Sequence, residues 1–246
     1  DYDVIPEFIG DVRTDVVEVG KLVAPRPIMH IARSSADRRR PIRPAVGGVS
    51  IGHYNITAGT LGCVLMVDDD YYILSNNHVL ADENRANIGD HIYQPGPFDG
   101  GSEKDTIAHL ADFVPIKFHG INYVDAAIAA PISANYVSFD ILGVGRPTGF
   151  SWPVLGCEVV KSGRTTGVTY GVVSQIHGTF LIEYDQGVAT FDEQIMITPG
   201  TFSDGGDSGS VILDTDTYRI TALLFAGSEE CTIATPIDIV LKEFWG

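Results

Sequence analysis

The chain has 246 residues, with 16 basic and 32 acidic side chains and a formal net charge of −16 at pH 7. A surface this acidic repels nucleic acid and anionic membranes, so we expect neither as a partner. The 44% of hydrophobic residues can build a large core, but no apolar run reaches the ~18 residues of a membrane span.

Residues 1–46 differ in composition from the rest of the chain. They hold five of the 13 prolines and eight of the 16 basic residues, including Arg33, Arg38, Arg39, Arg40 and Arg43. We expect an N-terminal arm that wraps the body, or the remnant of an upstream segment. The basic cluster could bind an anionic partner, but a solvated linker or pairing with the chain's own acidic surface is the favoured interpretation.

From residue 47 onward the pattern is one of short strands between turns. Apolar or alternating runs occupy residues 60–67, 71–75, 106–116, 123–130, 157–161, 167–176, 179–184, 192–197, 209–213, 219–226 and 231–234. Many short strands with almost no helical periodicity indicate an all-β barrel or sandwich. The one good helix is predicted at residues 236–245, with Pro236 in its first turn and an apolar face formed by Ile237, Val240, Leu241 and Phe244.

Three short segments carry residues suited to nucleophilic catalysis. Ser208 lies in the run 203–210, where glycines at 205, 206 and 209 allow a tight turn that can aim two backbone N–H groups beside its hydroxyl. His78 follows an apolar run, and Asp125 is the single charge between residues 121 and 138. Serine needs a base to take its proton and a carboxylate to orient that base. Taken alone, the serine segment could equally be an ordinary glycine-rich turn.

The order His78, Asp125, Ser208 is the one found in chymotrypsin. Over roughly residues 47–240, the three segments together resemble the chymotrypsin/trypsin-like serine peptidase family. The stretch from residue 47 to His78 is most similar to bacterial members related to the narrow-leaf-type trypsin-like proteins of plants. This resemblance implies two six-stranded antiparallel Greek-key β-barrels, residues 47–141 and residues 142–246, the second ending in the C-terminal helix. The active site would lie in the cleft between them.

The resemblance also implies an activity, that of a serine endopeptidase. Ser208 would be the nucleophile, His78 the general base and then acid, and Asp125 the group that fixes the imidazole tautomer. The backbone amides of Gly206 and Ser208 would form the oxyanion hole. The expected partner is therefore a protein or peptide substrate, and the oligomeric state stays open.

Asp207, beside the proposed nucleophile, needs a cation if it is buried. In bacterial members of the family, a stretch similar to residues 162–167 supplies an arginine to this aspartate. The resemblance therefore implies an Arg164–Asp207 pair, with a surface arginine as the alternative. Neither a cofactor nor a metal site is predicted, because no cysteine or histidine cluster has metal-ligand spacing.

The resemblance also gives positions for a substrate pocket. By position, the pocket would be lined by Phe202, Asp204, Phe225, Ala226 and Gly227. Phe202 falls near the place where trypsin-like enzymes carry an acid at the pocket floor, so a simple preference for Arg or Lys is not supported. A small-to-medium apolar side chain is the first choice, although Asp204, Glu229 and Glu230 could restore a basic preference.

The three cysteines, Cys63, Cys157 and Cys231, lack the partners that secreted trypsin-like enzymes provide. Val79 stands directly after His78, where those enzymes usually carry a cysteine. We therefore expect free thiols, or at most one unusual bridge, which leans towards a cytoplasmic protein. The start at Asp1 leaves a processed, secreted form open.

Two alternatives to an endopeptidase remain. An esterase could use the same three residues, and peptide against ester turnover separates the two. A latent or self-processing protein could act mainly as a binding scaffold. In that case the basic arm is a candidate latch on the acidic body.

Overall fold

The computed structural model describes residues 8–9, 11–13, 17, 19–24 and 38–246. Arg33 of the basic cluster lies outside the described residues. Two short antiparallel strands lie in the arm, β1 (Phe8–Ile9) and β2 (Val12–Arg13). Most of the other strands form two curled sheets, which confirms the predicted all-β class.

The body contains sixteen further strands. They are β3 (Ala45–Gly47), β4 (Ser50–His53), β5 (Gly59–Thr60), β6 (Cys63–Val67), β7 (Asp70–Ser75), β8 (His91–Tyr93), β9 (Thr106–Phe113), β10 (Ile121–Asn122), β11 (Ala127–Pro131), β12 (Val137–Ile141), β13 (Glu158–Gly163), β14 (Gly167–Tyr184), β15 (Gly187–Thr198), β16 (Val211–Asp214), β17 (Ile220–Gly227) and β18 (Thr232–Pro236). Strands β3 and β12 pair in parallel outside the two large sheets.

The first sheet has the strand order β5-β4-β8-β9-β11-β7-β6. Its inner face is apolar and fully buried, with Ile51, Ile73 and Ile107 among the core residues. This sheet has seven strands rather than the predicted six, because the two-residue strand β5 adds one. The side chains alternate between this core and the other face, as expected for strands in a barrel.

The second sheet has the order β10-β15-β14-β13-β16-β17-β18, and β18 also pairs with β15. Strands β13 to β18 therefore close into a ring, the predicted six-stranded barrel, while β10 adds a parallel edge. The runs 167–176 and 179–184, predicted as two strands, form the single strand β14. Its register shifts between residues 175 and 180, where His177 has a φ of 54° and Gly178 follows. This bulge explains why the sequence pattern is interrupted.

One apolar cluster joins the two sheets. It includes Leu74 and Ile128 from the first sheet, Leu213 and Leu223 from the second, and Val240 from the C-terminal helix. The burial of these side chains fixes the two sheets against each other. The ends of β7, β11, β14 and β17 are therefore held in fixed positions relative to one another, around the candidate site. The domain boundaries at 46/47 and 141/142 stay predictions.

The structure has two α-helices in the described part of the chain. The predicted C-terminal helix is confirmed as α2 (Ile237–Trp245), with Pro236 at its N-cap and with Ile237 and Val240 buried. The other helix, α1 (Asn77–Leu80), was not predicted because four residues are too short to show helical periodicity. No helix in the described ranges is long and apolar enough to cross a membrane.

The basic cluster pairs in part with the body. Arg38 is buried, and its guanidinium donates to the carbonyl of Gly48 at 3.0 Å and to Ser162 Oγ at 2.6 Å. Arg43 donates to the backbone carbonyl of Gln94 at 3.0 Å. These hydrogen-bond partners are neutral carbonyl and hydroxyl groups, while the negative charges of Asp207 and Asp105 act on Arg38 and Arg43 through space.

Candidate active site

His78 and Asp125 are brought together by two neighbouring strands. In the register of the sheet, Ala127 at the start of β11 lies opposite Ser75 at the end of β7. His78 comes three residues after Ser75 on α1, and Asp125 comes two residues before Ala127. His78 Nδ1 lies 2.6 Å from Asp125 Oδ2, and with the carboxylate ionised this nitrogen is the donor. The geometry fixes the imidazole with Nε2 as the free acceptor.

The Asp125 carboxylate is fully buried and has further donors. The backbone amide of Asn77 donates to Oδ1 at 2.8 Å, and the hydroxyl of Tyr184 donates to Oδ2 at 2.8 Å. The side-chain amide of Asn76 donates to the Asp125 carbonyl at 2.8 Å. These donors satisfy the hydrogen-bonding capacity of a carboxylate that would otherwise be costly to bury.

Tyr184 is a site residue that the sequence analysis missed. It lies at the end of β14 in the second barrel and reaches across to the acid of the first. Burial and the negative charge of Asp125 raise the pKa of Tyr184 well above its usual range, so the phenol remains a proton donor. A tyrosine in a strand of alternating apolar residues gives no local signal of such a role.

The segment around Ser208 is a tight turn that depends on glycine. Gly206 and Gly209 have φ angles of 95° and 94°, in the region that residues with a side chain rarely adopt. A β-carbon at Gly209 would collide with Ser75 Oγ and with the carbonyl of Thr60. The turn therefore brings the backbone of the second barrel into direct contact with the first barrel, and Ser208 is only 2% exposed.

The carbonyl groups of this turn are tied inward. Thr165 Oγ1 donates to the Gly205 carbonyl at 2.7 Å, and the amide and hydroxyl of Ser210 donate to the Asp207 carbonyl at 3.0 and 2.6 Å. Because C=O and N–H point in opposite directions across a trans peptide, the amides of Gly206 and Ser208 point the other way. Within the described part of the chain, neither amide has an acceptor. The turn thus leaves the amides of Gly206 and Ser208 without acceptors among the described residues, and their role as an oxyanion hole stays a prediction.

Ser208 and His78 border the same small cavity of about 30 Å³, together with Ala58 and Ala24. The Ser208 hydroxyl donates to the carbonyl of Phe225 at 3.4 Å, which is a long hydrogen bond. His78 Nε2 is buried and has no hydrogen-bond partner among the residues that the structure describes. His78 thus contacts Asp125 and shares a cavity with Ser208, while the serine hydroxyl is directed at Phe225 rather than at the imidazole.

The predicted Arg164–Asp207 pair is wrong. The cation at Asp207 is Lys161, whose Nζ lies 3.1 Å from Oδ2, and both side chains are fully buried. Lys161 and Gly163 lie on the same face of β13, and a β-carbon at Gly163 would collide with the Asp207 carboxylate. Arg164 therefore points to the opposite side.

Asp207 is held by more than Lys161. The amides of Thr165 and Thr166 donate to Oδ1 at 2.8 and 3.1 Å, and Thr166 Oγ1 donates to Oδ2 at 2.6 Å. Burial lowers the pKa of Lys161, and the charge of Asp207 opposes that shift. Asp207 thus anchors the serine turn to the Gly163–Thr166 bend. A supporting role was predicted for Asp207, but with Arg164 and not Lys161 as its cation.

Arg164 has another partner in the first barrel. Its Nε donates to Asp99 Oδ2 at 2.8 Å, and its NH2 group pairs with Asp99 Oδ1. The backbone amide of Arg164 donates to Thr60 Oγ1 at 3.0 Å. This bidentate ion pair is almost fully buried. Because Asp99 belongs to the first barrel, Arg164 links the second barrel to the first instead of supporting Asp207.

A second cleft of about 660 Å³ opens next to Ser208. Three of the predicted pocket residues line it, namely Asp204, Ala226 and Gly227. Its lining also includes Lys21, Val23, Thr166, Ser203, Ser228 and Glu229. Sequence reasoning named the stretches around residues 203 and 228 but not the two arm residues, which have no signal in the local sequence.

The other two predicted pocket residues, Phe202 and Phe225, are wrong as lining. Both are fully buried in the second barrel. Leu224 and Ala226 face the cleft, so the alternation of side chains along β17 turns Phe225 to the interior, where its ring lies 4.8 Å from that of Phe191. Phe202 packs in the core beneath Lys161. Only the backbone of Phe225 reaches Ser208.

All three cysteines are free thiols, as predicted. Cys63 and Cys231 are buried. Burial raises the pKa of the Cys63 thiol to about 12, so this side chain behaves as a small apolar residue.

Comparison with solved structures identifies the architecture. Protease A from Thermobifida fusca superposes with a TM-score of 0.60 at 19% identity, covering 81% of this chain and 95% of that protein. The fold is chymotrypsin-like. A glutamic-acid-specific serine protease gives a TM-score of 0.60 at 18% identity, covering 81% and 97% of the two chains. Chymotrypsin from Cellulomonas bogoriensis gives 0.57 at 17%, covering 81% and 94%.

Sequence comparisons add nothing to this architecture. No family model matches the chain, and no curated protein matches it. The chymotrypsin-like fold rests on the superpositions, which cover 81% of this chain.

Proposed function

We propose that this chain is a serine endopeptidase that cleaves peptide bonds through an acyl-enzyme. The observation that carries the proposal is the 2.6 Å contact of His78 Nδ1 with a buried, multiply hydrogen-bonded Asp125. The same His78 borders a cavity that Ser208 also borders. Two unpaired backbone amides lie in the same turn as the serine. The chymotrypsin-like fold of known serine proteases supports the same assignment.

In the proposed mechanism, Ser208 Oγ attacks the carbonyl carbon of the substrate while His78 Nε2 takes the hydroxyl proton. Asp125 accepts the hydrogen bond from Nδ1–H throughout and stabilises the imidazolium that forms. The hydrogen bonds from Tyr184 and the Asn77 amide keep this carboxylate oriented. His78 then gives its proton to the leaving amine, and a water molecule hydrolyses the acyl-enzyme by the reverse steps.

The amides of Gly206 and Ser208 would bind the oxygen of the tetrahedral intermediate. One such donor contributes about 3 kcal/mol to transition-state stabilisation in serine proteases. The inward hydrogen bonds of the Gly205 and Asp207 carbonyls hold both amides in place before substrate arrives. The buried Lys161–Asp207 pair fixes the same turn from below, so Lys161 is a positioning residue.

Catalysis requires a change in the direction of the Ser208 hydroxyl. In the structure the hydroxyl donates to the Phe225 carbonyl, and His78 Nε2 has no partner within the described residues. A serine side chain moves between staggered rotamers without backbone change. We propose that substrate binding occupies the Phe225 carbonyl and turns the hydroxyl towards Nε2.

For the cleft next to Ser208 we propose a small-to-medium apolar side chain, with a basic side chain as the alternative because Asp204 and Glu229 border the cleft. Ser203 Oγ is already bonded to Thr232 Oγ1 at 2.6 Å, and Ser228 Oγ donates to the Val19 carbonyl at 2.7 Å. The carboxylates of Asp204 and Glu229 border the cleft and disfavour an acidic side chain. The acidic preference of one structural neighbour is therefore not carried over to this chain.

Hydrolysis of peptides tests this proposal. We expect the full chain to cleave an unfolded protein and a set of peptides, and both Ser208→Ala and His78→Ala to lose activity by about 10³-fold or more. Ser151→Ala, a serine outside both clefts, is the matched control and should retain activity. Turnover of activated esters with no cleavage of any peptide would instead support the esterase alternative.

A further inference from the structure

The cleft next to Ser208 is already occupied in part by the chain itself. We propose that residues 19–24 of the arm are an intramolecular peptide ligand of this cleft, so that the protein regulates itself by competition between its arm and an extended peptide. This inference rests on the proposed function for the role of the cleft. It differs from the expected latch of basic residues, because the docking segment lies upstream of that cluster.

Main-chain hydrogen bonds hold the segment as an added strand. Val23 N donates to the Gly227 carbonyl at 3.2 Å, and Gly227 N donates to the Val23 carbonyl at 3.0 Å, which is an antiparallel pairing with the end of β17. On the other side, Glu183 N donates to the Leu22 carbonyl and Ala24 N donates to the Glu183 carbonyl, both at 3.1 Å. The segment therefore fills a slot between β17 and β14. Slots of this kind take extended peptides by strand addition.

Side chains of the segment also attach it to the body. Leu22 is only 6% exposed and belongs to the apolar cluster that contains Ile182 and Phe225. Lys21 Nζ lies 2.5 Å from the Glu183 carboxylate, although both groups are largely exposed, so this pair contributes little. Leu22 therefore supplies most of the side-chain anchoring.

The beginning of the segment also fits the body closely. Ser228 Oγ donates to the Val19 carbonyl at 2.7 Å. Gly20 has a φ of 63°, and a β-carbon there would collide with the Glu230 carboxylate. The positive φ favours a glycine where the chain turns into the slot, and a larger residue would also have to displace the flexible Glu230 side chain.

The segment runs directly to the proposed catalytic residues. Lys21 and Val23 line the 660 Å³ cleft with Ser208, and Ala24 borders the small cavity with His78 and Ser208. Both main-chain groups of Gly227 are used by Val23. An extended peptide that pairs with Gly227 must therefore displace the arm. Because the arm is tethered, it competes at an effective concentration on the order of millimolar.

Binding can be measured without catalysis. In the full chain carrying Ser208→Ala, we would measure by fluorescence anisotropy the affinity for a labelled peptide with the sequence of residues 17–24. Val23→Pro removes the N–H that donates to Gly227, so we expect about tenfold tighter binding of the free peptide. Val17→Pro changes the same arm at an exposed position and should leave the affinity unchanged.

A second variant and a second measurement distinguish weaker binding of the arm from misfolding of Val23→Pro. Lys21→Glu reverses the pair with Glu183 without altering the backbone and should also tighten peptide binding, by a smaller factor. Hydrogen exchange of the Gly227 amide should be slow in the Ser208→Ala chain and faster after Val23→Pro. Equal peptide affinity in all four proteins, no peptide binding at all, or equal exchange of the Gly227 amide would each overturn the proposal. Since none of these measurements involves bond cleavage, the proposed function can fail without affecting them.

Discussion

The Tyr184 hydroxyl donates to Asp125 Oδ2 at 2.8 Å, and this hydrogen bond crosses from the second barrel to the first. Asp125 also holds His78, so the orientation of the imidazole depends on how the two barrels meet. The buried pair of Arg164 and Asp99 fastens the same two barrels at another point. The proposed catalytic geometry is therefore a property of the barrel interface.

Replacing Tyr184 with phenylalanine removes one donor from a buried carboxylate. A hydrogen bond to a charged group contributes about 1.5–3 kcal/mol, so we expect the free energy of unfolding to fall by about that amount. We expect kcat/KM for peptides to fall about tenfold because the imidazole is less firmly held. Tyr170→Phe, at an exposed tyrosine, is the control for chemical denaturation and kinetics. Native stability and kcat/KM in Tyr184→Phe would contradict a role for this contact.

Lys161→Met leaves Asp207 buried without its cation. Removing one partner of a buried ion pair typically costs about 3–5 kcal/mol, so we expect a loss of stability of that order. Adding Asp207→Asn should recover part of the loss, because the unpaired charge is then removed. A double-mutant cycle by denaturant unfolding gives the coupling energy of the two residues. Additive effects of the two substitutions would show that Lys161 and Asp207 do not interact.

Arg164→Met should be coupled to Asp99 and not to Asp207. The Arg164 guanidinium contacts Asp99, while Asp207 keeps Lys161 and the amides of Thr165 and Thr166. We therefore expect a coupling energy of about 1 kcal/mol or more in the cycle with Asp99→Asn and close to zero in the cycle with Asp207→Asn. The reverse result would restore the pair that the family resemblance implied.

The three free thiols should differ in reactivity. Because burial raises the pKa of Cys63 to about 12, its thiolate stays scarce as the pH is raised from 8 to 10. Cys231 is also buried, and burial raises the pKa of its thiol. Peptide mapping after iodoacetamide treatment of the native protein should find Cys157 modified first, with Cys63 reacting only on unfolding. Early modification of Cys63 in the native protein would contradict this.

Much of the site could be predicted because its chemistry is encoded in local sequence. The glycines around Ser208, the apolar run before His78 and the isolated charge of Asp125 are each visible without a fold. The order of His78, Asp125 and Ser208 along the chain is that of chymotrypsin, and this resemblance implied how the two barrels would combine. The all-β class and the C-terminal helix followed from periodicity in the same way.

The wrong predictions concern the direction in which side chains point. Whether Lys161 or Arg164 faces Asp207 depends on the alternation along β13 and on the end of that strand. The same alternation along β17 turns Phe225 into the core. Tyr184 reaches the site from the end of β14 and Val23 reaches it from the arm, and no local pattern reports such contacts. These features depend on register, which the sequence alone did not specify.

The proposed activity depends most on whether Ser208, His78 and Asp125 form a catalytic triad. Mass spectrometry after incubation with a serine-directed phosphonate tests this directly, on the native chain and on Val23→Pro, in which we expect the arm to bind the cleft more weakly. We predict one adduct on Ser208, absent from Ser208→Ala, suppressed about 100-fold in rate in His78→Ala, and unchanged in Ser151→Ala. A folded Val23→Pro protein with no adduct, or with an adduct that does not depend on His78, would contradict the proposed catalytic site.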